Sequence, residues 1–128
     1  MTILYADDDF DDRMLFLEAF SEVEQSISCV TVCDGQQLLQ MLNKAQNLPD
    51  AIFLDVNMPV MDGRECLIEL KRDRRLRNIP VVIYSTTSSQ TEIKGYLQLG
   101  AMSFIQKPDS YPKLCACLER FVRSLNAG

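Results

Sequence analysis

Five short apolar runs, each followed by a stretch of helical periodicity, leave this chain few folds to choose from. The runs are Thr2–Ala6, Ser28–Val32, Ala51–Leu54, Val81–Ser85 and Ser103–Gln106. Each is short and bounded by polar or turn residues, the pattern of strands buried in a parallel sheet. The first helical stretch, Arg13 to about Glu24, turns Phe16, Leu17, Phe20 and Val23 toward a core. The second carries Leu38, Met41, Leu42 and Ala45 at the spacing of an amphipathic helix. The third, Gly63 to about Arg74, carries Cys66, Leu67 and Leu70. The fourth opens on the capping box Ser89-Gln90-Thr91-Glu92, stops at Gly100 and bears the stripe Ile93, Tyr96 and Leu97. The fifth runs from about Ser110 to Leu125, with Leu114, Cys117, Leu118, Phe121, Val122 and Leu125 on one face. Uninterrupted β–α alternation predicts an α/β fold, an open parallel sheet with helices on both faces.

Ligands of such sheets bind beyond the carboxyl ends of the strands. Asp7 and Asp8 close the first run, Asp55 the third, Ser85 the fourth and Lys107 the fifth. The fold therefore predicts three carboxylates, a hydroxyl and an ammonium at one sheet edge. At an effective dielectric of about 20, two unit charges 4 Å apart repel by ~4 kcal/mol. Lys107 balances part of that repulsion, and a hard divalent cation would balance more; Mg²⁺ (or Mn²⁺) suits carboxylate and carbonyl oxygens. Helix capping explains Asp11 or Asp12, but it explains Asp7 and Asp8 poorly because they lie where the strand ends. With the repulsion neutralised, a phosphoryl group can be placed on Asp55, with Lys107 and the Ser85 hydroxyl taking its oxygens. The product would be an acyl phosphate. Pro59 and Gly63 suit a tight loop after Asp55, and the backbone carbonyl of Asn57 is placed to ligate the metal. A cis peptide at Lys107-Pro108 would aim the lysine at the pocket.

Composition removes other chemistries. The chain has no histidine, which excludes histidine-based triads, histidine metal sites and phosphohistidine on this chain. A net charge of -5 argues against nucleic acid as a partner, and the basic run Lys71 to Arg77 reads as cations at a helix C-terminus plus a soluble loop. No apolar run reaches the ~18 residues of a membrane span, and the N-terminus has no basic region of a signal peptide, so a cytoplasmic location is expected. The cysteines Cys29, Cys33, Cys66, Cys115 and Cys117 are odd in number and scattered, and read as small core residues rather than disulfide or zinc ligands. A length of 128 residues fits one domain spanning 1–128, with no linker or repeat and no output domain after the fifth helix.

Taken in order, Asp7-Asp8, Asp55-Val56-Asn57-Met58-Pro59-Val60-Met61-Asp62-Gly63, Ser85, Phe104 and Lys107-Pro108 resemble the receiver domain of two-component response regulators. The resemblance covers the whole chain. It implies a flavodoxin-like, doubly wound five-stranded sheet of order 2-1-3-4-5. It implies that Asp55 is the phosphoacceptor. Asp8, Asp55 and the Asn57 carbonyl would bind Mg²⁺ directly, with Asp7 acting through water. Ser85 would be the switch hydroxyl, Phe104 the aromatic that turns inward, and Lys107 the phosphoryl contact. Asn57 and Thr87 would tune the hydrolysis rate. The donor would be a sensor histidine kinase or phosphotransfer protein, and the protein would assist its own phosphorylation and dephosphorylation without being an enzyme in the turnover sense. The fourth helix, fifth strand and fifth helix would face a downstream protein, offering Lys94, Tyr96, Gln106, Lys113 and Arg120. A monomer or a phosphorylation-dependent homodimer is expected. The segment Ile79 to Ser89 looks like stand-alone regulators that partner phytochrome-type kinases.

Three alternatives compete. A haloacid-dehalogenase-like phosphatase would use Asp7 in Asp7-Asp8-Asp9, but needs late metal-binding acids where only Asp109 stands. A flavodoxin-like FMN carrier would need amides and hydroxyls where this chain has a row of aspartates. A receiver that no longer accepts phosphate usually lacks the acceptor or the lysine, and both are present.

Overall fold

The computed structural model describes residues 1–127. Five β–α units follow one another: β1 (Thr2–Ala6), α1 (Phe10–Val23), β2 (Ser28–Val32), α2 (Gly35–Lys44), β3 (Ala51–Leu54), α3 (Gly63–Arg72), β4 (Val81–Ser85), α4 (Gln90–Gln98), β5 (Ser103–Gln106) and α5 (Tyr111–Ala127). The strands form one parallel sheet in the order β2-β1-β3-β4-β5. All five strand expectations hold to the residue, because short apolar runs between turn residues leave little room for slippage.

Strand alternation sends neighbouring side chains to opposite faces. Leu4, Ala6, Ile52, Leu54, Val81 and Ile83 join α2 and α3 in one core, with Tyr96 and Leu99 half-buried against it. Ile3, Tyr5, Ala51, Phe53, Val82 and Tyr84 join α1 and α5 in the other. Fully burying side chains of this size stabilises by roughly 1.5–3 kcal/mol each. The second core is aromatic: the Phe16 ring lies 4.1 Å from Tyr5 and 5.0 Å from Phe53 between centroids.

The helices depart from expectation in instructive ways. α1 starts at Phe10, not Arg13, because Asp9 is its cap: the Asp9 carboxylate accepts the Asp12 N–H at 3.0 Å. Asp11 and Asp12 therefore lie inside the first turn rather than capping it. In α2, Leu38 and Leu42 are buried but Met41 is 40% exposed, since that helix covers the sheet near its β2 edge. α4 buries none of its residues; Leu97 faces solvent and the helix rests on β5 at the other edge. Its capping box forms by half. Ser89 accepts the Glu92 N–H, but the Glu92 carboxylate takes the Thr87 hydroxyl instead of the Ser89 amide. α5 continues past Leu125 to Ala127. All five cysteines are free, and Cys66 and Cys117 are buried. In the basic run, Lys71 and Arg75 spend their charges on main-chain carbonyls, Arg75 on Leu42 and Ala45 at the C-terminus of α2. Among the described residues no helix is long and apolar enough to cross a membrane.

Candidate acidic pocket at the carboxyl edge of the sheet

The sheet delivers its polar residues by extending its ladders one residue past the strands. The Asp7 N–H donates to the Val32 carbonyl at 3.1 Å, that of Asp55 to Ala6 at 3.0 Å, and that of Lys107 to Ser85 at 2.8 Å. These bonds fix three backbone positions before any side chain is considered. By alternation Asp7, Asp55 and Lys107 continue the face that packs on α1 and α5, while Ser85 continues the face of α2 and α3.

Carboxylate oxygens of Asp7, Asp8 and Asp55 lie within 4.8 Å of one another. Asp7 and Asp55 are buried and Asp8 is exposed, so the cluster meets solvent at Asp8. The Lys107 Nζ lies 2.7 Å from Asp7 Oδ2, 2.7 Å from Asp12 Oδ2 and 3.6 Å from Asp55 Oδ2. Beneath it lies the Tyr84 ring, its centroid 5.6 Å away. Among the described residues no peptide bond is cis. The expectation of a cis Lys107-Pro108 bond is therefore corrected. The lysine needs no such bond, because the β5 register already carries it to the edge.

Besides its N–H bond to Val32, Asp7 is held by four further contacts. Its Oδ2 accepts the Tyr5 hydroxyl and Lys107; its Oδ1 accepts the Asp9 N–H at 2.9 Å; its carbonyl accepts Arg13 at 2.7 Å. Burial pushes its carboxyl up, but the Lys107 and Tyr5 hydrogen bonds outweigh that and hold it below the usual carboxylate range. Asp55 lacks such donors. The Asn57 N–H reaches it only at 3.4 Å. Burial first, and the Asp7 charge second, push its carboxyl up to about 7 against the pull of Lys107. Lys107 shows the converse. Burial lowers its pKa, but the hydrogen bonds to Asp12 and Asp7 raise it further, so it stays charged. One held anion beside one frustrated carboxyl is the electrostatic state a divalent cation relieves, and the all-oxygen donor set fits such an ion.

Ser85 is completely buried at the end of β4, its Oγ accepting the Thr87 N–H at 3.3 Å. Thr87 in turn donates to Glu92 at 2.7 Å, which ties the loop to the start of α4. Phe104 is half-buried against the α2–α3 core. The loop after Asp55 is tight: the Gly63 N–H donates to the Val56 carbonyl at 3.1 Å, and Val60 adopts a φ of 68°. Asp109 is exposed and paired with Lys113 at 2.9 Å, away from the cluster, which removes the late acid a dehalogenase-type phosphatase needs. Three participants escaped the sequence reading: Tyr5, Tyr84 and Asp12. The first two were hidden as ordinary strand residues. Asp12 was legible in the spacing Asp9-x-x-Asp12, which places it on the third helical position once Asp9 is the cap.

Residues 3–119 match the response regulator receiver domain family. The crystal structure of the phosphorylated cyanobacterial phytochrome response regulator RcpA superposes with a TM-score of 0.86 at 31% identity, over 94% of this chain and 89% of that one. The Mn²⁺-bound form of response regulator Rcp1 gives 0.83 at 25% identity, over 94% and 90%. The transcriptional regulatory protein PrrA of Mycobacterium tuberculosis is 33% identical over 94% of this chain, which spans 49% of PrrA. The extent of these matches and the fold they share place the chain in the response regulator receiver domain family, among the two-component response regulators.

Proposed function

We propose that Asp55 is the phosphoacceptor of this regulator and that Lys107, Ser85 and Phe104 convert its phosphorylation into a change of surface. The observation that carries this is the meeting of Asp7, Asp8 and Asp55 within 4.8 Å, with the Lys107 Nζ 3.6 Å from the Asp55 carboxylate. An Asp55 oxygen attacks the phosphorus of a phosphohistidine or of a small acyl phosphate. The new P–O bond forms as the P–N or P–O bond of the donor breaks, and the electron pair leaves with the donor. Asp7, Asp8, Asp55 and the Asn57 carbonyl would hold Mg²⁺ or Mn²⁺, with Asp7 acting through water. The ion supplies charge that lets an anionic donor approach a carboxylate.

The chain's own residues do the rest. Lys107 takes one phosphoryl oxygen and the Ser85 hydroxyl another, drawing the β4–α4 loop toward Asp55. Phe104, already half-buried, turns inward as that loop closes. Asn57 and Thr87 flank the acceptor and tune how fast water removes the group. The protein assists its own phosphorylation and dephosphorylation but turns over no separate substrate.

The partners are a sensor histidine kinase or phosphotransfer protein, and a downstream protein that reads α4, β5 and α5. Lys94, Gln106, Lys113 and Arg120 are exposed there, with Tyr96 half-buried. We place the protein in the cytoplasm as a single receiver over residues 1–128, without nucleic-acid or membrane partners, as a monomer or a phosphorylation-dependent homodimer. Its likeness to RcpA and Rcp1 supports a phytochrome-type kinase as donor. The test is phosphate-affinity electrophoresis after incubation with acetyl phosphate, with and without Mg²⁺. A shifted band that needs both the metal and Asp55 is expected. A band that persists in Asp55→Asn, or folded protein that never shifts, overturns the proposal.

A further inference from the structure

Of the three carboxylates that face Lys107, Asp12 is the one that no part of the phosphoryl chemistry uses. Its Oδ2 lies 2.7 Å from the ammonium, as near as that of Asp7 and nearly an ångström nearer than that of Asp55. It is not a member of the cluster that could hold a cation. Its place is set from outside the pocket, in the first turn of α1, where its own N–H is fixed on the Asp9 cap. A cation shared by Asp7, Asp8 and Asp55 weakens the hold of Asp7 on the lysine, because the two positive charges compete for one carboxylate. It leaves the hold of Asp12 intact. The ammonium is only 12% exposed and lies over the Tyr84 ring, so solvent does little to screen its carboxylate partners. Asp7 and Asp12 each sit 2.7 Å from an ammonium with three N–H donors, so a phosphoryl group on Asp55 competes with Asp12 for its charge and its hydrogen bonds.

We propose that Asp12 is a positioning residue that holds Lys107 back from Asp55 and so sets how strongly the pocket favours a phosphoryl group there. The inference rests on the reading of Asp55 as the acceptor. Asp11 provides the control. It is exposed, lies in the same first turn and carries the same charge, but makes no bond to Lys107. Removing either carboxylate takes one negative charge from the N-terminal turn of α1 and changes the net charge alike; only removal of Asp12 frees the lysine.

The experiment compares the full chain as wild type, Asp12→Asn, Asp11→Asn and Asp12→Glu. It measures Mg²⁺ affinity alone, affinity for beryllium fluoride at saturating Mg²⁺, and the thermal midpoint. Asp12→Asn is expected to bind beryllium fluoride roughly two- to fivefold more tightly than Asp11→Asn, the scale of a partly exposed ion pair. The two should match in Mg²⁺ affinity, and Asp12→Glu should return the fluoride affinity toward wild type. Asp12→Ser serves in its place if the asparagine variant folds poorly, with the same expected direction. Equal fluoride affinity in Asp12→Asn and Asp11→Asn, or weaker binding in Asp12→Asn, overturns the role of Asp12 alone. Wild-type protein that binds Mg²⁺ but no beryllium fluoride overturns the acceptor reading, and the role of Asp12 with it.

Discussion

Gly63 stands so close to Asp55 that a Cβ built on it would lie 2.5 Å from the Asp55 carbonyl oxygen and 2.6 Å from the Val56 Cα. Both are backbone atoms, and a side-chain rotation cannot relieve the clash. The start of α3 is thus pressed onto the strand end that carries the acceptor. Gly63→Ala is expected to destabilise the protein by about 1–3 kcal/mol and to slow Asp55 phosphorylation. Gly95 in α4 is the counter-case, with nothing within 4 Å of its Cβ position. Gly95→Ala is expected to stabilise by about 0.4–1 kcal/mol. Urea unfolding of the two variants checks the opposite signs.

Tyr5 donates its buried hydroxyl to Asp7 while its ring packs on Phe16. Tyr5→Phe keeps the ring and removes one donor from a buried anion. It should lower stability at neutral pH by about 1.5–3 kcal/mol, the scale of a hydrogen bond to a charged group. A lower urea midpoint with an unchanged slope is the expected result.

Lys107 is the ammonium in contact with Asp7, Asp12 and Asp55 together. Lys107→Met leaves those carboxylates without it, at a cost of about 3–5 kcal/mol in the metal-free protein. A divalent cation then has no ammonium to compete with. Added Mg²⁺ should raise the thermal midpoint of Lys107→Met by more than that of wild type, which differential scanning measures directly.

Without a metal, burial and the Asp7 charge hold the Asp55 carboxyl up at about 7, against an ordinary value of 3.8. Between those values the folded protein keeps a proton that the unfolded chain has lost. The Asp55 contribution therefore favours folding at low pH and is lost as pH rises through about 7. Asp55→Asn removes this dependence. Its stability advantage over wild type in metal-free buffer should be larger at about pH 8 than at about pH 5. Urea midpoints at the two pH values check this, and an advantage that does not change contradicts it.

The sheet was legible because buried strands announce themselves as short apolar runs, and the pocket because its main members stand where those runs end. Asp7, Asp8, Asp55, Ser85 and Lys107 needed only the parallel arrangement to be brought together. What escaped is what depends on side-chain reach. Tyr5 and Tyr84 look like core residues, and their rings are core; only the position of a hydroxyl or a ring face links them to the pocket. Asp12 was obscured by starting α1 at Arg13, three residues late. Met41 and Leu97 fit helical stripes, but edge helices cover less sheet than a stripe assumes. The close approach of Gly63 is a distance between backbones that sequence spacing does not encode; it suggested only a turn.

Trapping the phosphorylated residue tests the central claim most directly. Borohydride reduces an aspartyl phosphate to homoserine, which peptide mass spectrometry locates. After acetyl phosphate and Mg²⁺, homoserine is predicted at position 55 and at none of the aspartates from Asp7 to Asp12. Homoserine at position 7 or 8, or none in folded protein with the metal present, would contradict it.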